Sequence, residues 1–250
     1  MEFNAQPRFP YDESGLQVER GRMSGHPFLR EFKKGTFSLR LAKQIAAMQV
    51  GYNLDVIVAL TRMRRRLADH PEFICDLLDP LLATEFGADL ESVGVRQQGI
   101  THIKTIYDLT DSLGLSAEER RAWGDAASRF FDEALTGLIG GGCAATAMGG
   151  LFANEVFATA WYPAYFEGFL RFSRRAGLDL DLFFLESHSE IEVAHVEHVS
   201  QLLAWRERLD VDPDAFEAGY RAFSAALERK FWSLHEQLAS DLESGELSKV

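Results

Sequence analysis

At 250 residues, 46% hydrophobic and 26% charged, the chain has an ordinary globular composition and enough length to bury one full core. Its 26 lysines and arginines stand against 38 aspartates and glutamates, a net charge of −12, which argues against a phosphate backbone as main partner. No run approaches the roughly 18 apolar residues of a membrane span, and the polar opening MEFNAQPRFPYDESG lacks a signal-peptide core, so a cytoplasmic protein without a membrane partner is expected.

Residues 1–24 carry Pro7, Pro10 and several charges without periodicity, and read as a flexible arm ahead of one domain over 25–245. The domain reads as all-α, because apolar residues recur at helical spacing and period-two alternation is scarce. One helix is expected from about Ser38 to Ala68. Pro71 opens the next, which reaches about Phe86. A loop marked by Gly87, Gly94 and Gly99 leads to a helix over Thr101–Leu113. Ser116 and Glu119 form a capping box at the head of another, which Gly140, Gly141 and Gly142 interrupt. A long helix covers about Cys143–Arg175 and stops at Gly177, the next spans Asp181–Arg208, and Pro213 opens the last. Gly149 and Gly150 lie inside the long helix, where they cost stability. Close helix–helix approach is one reason for them, and room beside a ligand pocket is the other. Cys75 and Cys143 are too far apart for a CxxC site and are expected to be buried thiols.

The chemistry concentrates in Phe183–His198. At about 100° per residue, His188, Glu192 and His195 share a narrow arc of one helix, with Glu186, Glu190 and Glu197 off it. Two imidazoles bracketing a carboxylate suit iron, manganese or zinc better than calcium or magnesium. The alternative is a solvated helix that happens to be rich in histidine and glutamate. Glu155 sits in an apolar run, where a carboxylate is costly unless paired or metal-bound. His102 opens a helix with Ile103, Ile106, Leu109 and Leu113 at core spacing, and Glu85 closes one whose face is Leu77, Leu78, Leu81 and Leu82. Singly, a capping histidine and a helix-end carboxylate explain the last two. Together these groups bring carboxylates and imidazoles from four helices, which is how a bundle builds a dinuclear site.

Several stretches resemble the heme-oxygenase-like diiron oxidases and oxygenases, related in fold to thiaminase-II and PQQ-biosynthesis protein C. They are His26-Pro27-Phe28-Leu29 with Gly35 and Ser38, His102 followed by Gly114-Leu115, the helix carrying Glu155, and Phe183-Phe184…His188…Glu192…His195. The resemblance implies a heme-oxygenase-like bundle of about seven helices. It implies Glu85, His102, Glu155, His188, Glu192 and His195 as ligands of two Fe(II) ions per chain, with O₂ as co-substrate. Glu192 departs from the family's usual aspartate. The long step from Glu85 to His102 makes Glu91 a competitor of Glu85, and Asp55 is a candidate for an extra carboxylate.

Candidate pocket walls are Tyr107, Phe152, Phe157, Trp161, Tyr162 and Phe183, although aromatics at helical spacing are more often core. Relatives oxidise small carboxylates and amino-acid-derived metabolites in biosynthesis, by N-oxygenation, C–C cleavage or oxidative decarboxylation. The resemblance therefore implies a small-molecule substrate, with an external reductant as one electron source and a homodimer as the common assembly. The lysine of the para-aminobenzoate-forming relatives has no counterpart in Tyr162–Gly168. The competing readings are a metal-free thiaminase-like or cofactorless enzyme, which for a thiaminase needs a nucleophilic cysteine, and a non-catalytic helical interaction protein.

Overall fold

A computed structural model describes residues 13–87 and 101–243, apart from the side chains of residues 13, 125–134, 136 and 190–199. Every regular element among them is helical. In chain order they are α1 (Glu13–Ser24), α2 (Pro27–Phe32), α3 (Leu39–Arg66), α4 (Pro71–Phe73), α5 (Asp79–Glu85), α6 (His102–Ser112), α7 (Ala117–Phe131), α8 (Ala144–Ala176), α9 (Phe183–Arg208) and α10 (Pro213–Glu243). Two π-helical stretches interrupt them, Ile74–Leu78 between α4 and α5 and Asp132–Ile139 after α7. No helix among the described residues is long and apolar enough to cross a membrane.

Local signals place most of the ends. Ser38 caps α3 by accepting from the Leu41 amide at 3.1 Å. The capping box of α7 closes in both directions, with Ser116 N–H on the Glu119 carboxylate at 2.8 Å and Glu119 N–H on the Ser116 hydroxyl at 3.1 Å. Gly177 ends α8 in the left-handed region, φ 65°, where a side chain would be strained. The His26-Pro27-Phe28-Leu29 stretch is a helix start. The His26 ring accepts from the Phe28 amide at 3.2 Å, Pro27 opens α2, and Phe28 and Leu29 are fully buried.

Helix α8 is the axis of the molecule. It is buried on nearly every side and packed by α10, α9, α1, α2 and the second π stretch, while α3 lies against α6 and α7. Phe32, Phe37 and Phe172 stack in series, with ring centroids 4.1 and 4.9 Å apart. Arg175 ties that corner by donating to the Phe37 carbonyl at 2.7 Å. Within the segment expected as an arm, Glu13–Ser24 forms α1, which docks on α8 and buries Leu16 and Met23. Its few apolar residues give little periodicity, and the helix owes its place to that docking.

Close approach explains Gly149. A Cβ there would overlap the Phe216 carbonyl oxygen, and one on Gly219 would overlap the Thr146 carbonyl, so α8 and α10 touch backbone to backbone. Gly149→Ala is expected to cost about 3 kcal/mol, the upper range of overpacking. Gly124→Ala serves as control in urea melts. Its Cβ would meet nothing closer than 3.8 Å, and it should gain about 0.5–1 kcal/mol from helix propensity.

The cysteines correct an expectation, since both are exposed rather than buried. Ile74, Leu77 and Leu78 take the inward face of the first π stretch and leave Cys75 outside. Cys143 sits at the N-cap of α8, where hydrogen bonding to Thr146 lowers its thiol below the usual range.

Candidate metal centre

His102 points inward because Thr105, Ile106 and Leu109 form the buried face of α6, and it is 2% exposed. Thr101 caps that helix by accepting from Lys104 N–H at 3.1 Å, which fixes the first turn and the histidine on it. His188 enters from α9 at 4% exposure, and its ring centroid lies 4.4 Å from that of His102. The Phe184 carbonyl accepts from His188 Nδ1 at 2.7 Å. That bond places the proton on Nδ1, the arrangement in which a backbone carbonyl orients a metal-binding imidazole. Phe184 and Tyr162 pack on the His188 ring at 4.1 and 4.6 Å.

Glu85, at the end of α5, brings Oε2 within 3.5 Å of His102 Nδ1, and its side chain is 16% exposed. That separation is long for a hydrogen bond. Glu155 lies on the central helix, 6% exposed, and accepts from Asn154 Nδ2 at 3.2 Å. Asn154 accepts in turn from the Tyr52 hydroxyl at 2.5 Å. Burial pushes that hydroxyl well above the ordinary tyrosine range, helped by the fields of Tyr162, Glu155 and Glu85 and opposed by its bond to Asn154. Tyr52 stays protonated and remains a donor.

Three expected ligands meet in pairs, Glu85 of α5 with His102 of α6 and His102 with His188 of α9, while Glu155 of α8 is joined through Asn154 to Tyr52 of α3. Asp55 is on α3, close to one turn after Tyr52, half-buried, with Oδ2 shut off from solvent. Glu192 and His195 belong to α9, and a regular helix carries them about 6 and 10 Å beyond His188 along its axis. Their side chains, and the whole of Glu91, lie outside the described residues. Among the described residues no group of three or more His, Cys, Asp or Glu is arranged to hold a metal ion. The donor types still fit a first-row transition metal: two buried imidazoles, one with its tautomer set, and carboxylates brought into apolar surroundings.

The proposed pocket aromatics divide. Tyr162 touches His188, and Trp161 meets Tyr52 edge-on at 5.8 Å. Phe152 and Phe157 pack instead against Phe216 and Tyr220 of α10. Phe183 is half-buried at the first turn of α9. Tyr107 is 36% exposed under the Arg120 guanidinium, 5.1 Å from its ring centre, and lines a surface groove of about 310 Å³ with Leu54 and Arg121. Sequence reasoning missed Tyr52 and Asn154. A signal for Asn154 existed, since it is polar beside Glu155 in an apolar run; Tyr52 on α3 carried none. No protein-family model matches this chain, and no curated protein is similar enough to match it.

Proposed function

We propose that this chain is a non-haem diiron oxygenase or oxidase of heme-oxygenase-like fold, acting on a small carboxylate or amino-acid-derived metabolite. The observation that carries the reading is the buried His102–His188 pair with Glu85 at its edge. Glu85, His102, Glu155, His188, Glu192 and His195 would hold two Fe(II) ions, with Glu91 as alternative to Glu85 and Asp55 as an added carboxylate. Iron bound there would supply the binding and reduction of O₂.

The chain's own residues support that chemistry. Phe184 and Tyr162 keep water from the His188 ring, and the Phe184 carbonyl holds its Nδ1 proton. Asn154, itself held by the Tyr52 hydroxyl, donates to one oxygen of Glu155 and so orients that carboxylate. Both cysteines are surface thiols, whereas a thiaminase-like enzyme needs its nucleophile in the substrate pocket.

Anaerobic titration of metal-free protein with Fe(II) tests the reading. Bound iron should saturate near two per chain, the content of a dinuclear bundle site, and mixing with O₂ should produce an optical change absent from the iron-free protein. Saturation below one iron per chain would sink the metal assignment. Full loading with no O₂-dependent change would leave a metal protein and remove the oxygenase.

A further inference from the structure

Helix α1 carries three charged residues in succession along its second half, and their surroundings differ. Glu19 accepts from Arg22 at 2.8 Å and from the Tyr220 hydroxyl at 3.3 Å. Arg22 reaches on to Glu228 and lies over the Phe157 ring, 5.8 Å from its centre. These contacts pin α1 to α8 and α10. Arg20 lies between Leu16 and Met23 at helical spacing, so it shares the face of α1 that those two buried residues turn into the protein. Its Nε and Nη2 are shut off from solvent, and no described residue accepts a hydrogen bond from either.

Those two atoms form one edge of the guanidinium. Their N–H bonds run parallel, at the spacing of the two oxygens of a carboxylate, which such an edge binds in bidentate fashion. Arg20 as a whole is half-buried, but donors shut off from solvent and left unfilled are costly, and a bound anion removes that cost. Leu16 and Met23 on either side make the surroundings of that edge apolar. We infer that Arg20 is the docking point for the carboxylate of a small organic acid, held where α1 meets the body of the protein. The inference goes beyond the iron reading and does not rest on it, since binding can be read on metal-free protein.

The test measures calorimetric binding and thermal melting of metal-free protein with hexanoate, hexan-1-ol and inorganic phosphate as probes. Hexanoate should bind and raise the melting temperature, while hexan-1-ol, which lacks the carboxylate, should not. Arg20→Gln should weaken hexanoate binding on the order of thirtyfold, the loss expected for a charge-assisted pair of hydrogen bonds. Arg20→Lys, which keeps the charge but not the fork, should fall between. Without ligand, Arg20→Gln should melt at or above the wild-type temperature, because it removes two shut-off donors that no described residue fills. Three results would each overturn the proposal: no hexanoate binding by wild type, equal binding by Arg20→Gln, or a ligand-free Arg20→Gln that melts well below wild type. Phosphate binding as tight as hexanoate would overturn the carboxylate assignment. Iron content read separately on Arg20→Gln should stay near that of wild type, so failure here and failure of the iron reading remain distinct.

Discussion

On the proposed diiron reading, His188→Ala is expected to abolish tight iron binding at one of the two positions, lowering Fe(II) content from about two per chain to one or fewer. Removing groups that merely orient a ligand costs about 10–100-fold in metal affinity, so removing the ligand itself should exceed a hundredfold. The variant also deletes ring contacts with Phe184, Tyr162 and His102, which lie 4.1, 4.6 and 4.4 Å from the imidazole centre. A stability loss of about 2–3 kcal/mol is therefore expected alongside, by the cavity left behind. Circular dichroism and a urea melt of the metal-free variant separate the two effects. A folded His188→Ala that still binds two irons with wild-type affinity would remove His188 from the ligand set.

Lys230→Met should stabilise the protein at pH 7 by on the order of 4 kcal/mol. Lys230 lies on α10 at 7% exposure, flanked along its helix by buried Ala226, Leu227 and Leu234. Burial lowers its ammonium from 10.5 to about 7. Between those values the unfolded chain binds a proton that the folded chain does not. Wild-type stability should accordingly rise as pH rises from 7 toward 10, by about 1.4 kcal/mol per unit at most. Below pH 7 both states are protonated and the penalty is constant.

Tyrosines act in the opposite sense at the upper end. Tyr52, Tyr165 and Tyr220 are raised by burial, so their contribution is intact below the unfolded value near 10 and is lost above it. The window that isolates Lys230 is thus pH 7 to about 9.5. Urea melts across it should slope upward for wild type and flatten for Lys230→Met. Equal slopes would show that Lys230 stays charged in the folded protein.

Most helix ends were legible because they depend on neighbours in sequence. Ser38, the Ser116–Glu119 box, Gly177 and Pro213 act within a few residues of themselves, and each stands where its chemistry placed it. The inward face of α6 was legible for the same reason, since His102 shares it with Ile106 and Leu109. The π stretches were not, because a shift to i→i+5 bonding leaves no mark on residue type. Nor was the exposure of Cys75, which lies off the face that Ile74, Leu77 and Leu78 bury.

At the candidate centre, periodicity identified which side of α9 His188 occupies, and composition marked Glu155 as a carboxylate needing a partner. That His102 lies 4.4 Å from His188, that Glu85 closes on His102, and that Tyr52 reaches Asn154 from a helix a hundred residues away are outcomes of packing. The backbone contact of Gly149 with Phe216, and the turning of Arg20 inward between Leu16 and Met23, belong to packing too. Short-range order was thus written in spacing, caps and turns, which each residue shares with near neighbours. Distances between faces depend on how side-chain volumes on separate helices fill the common core, and only the assembled bundle decides them.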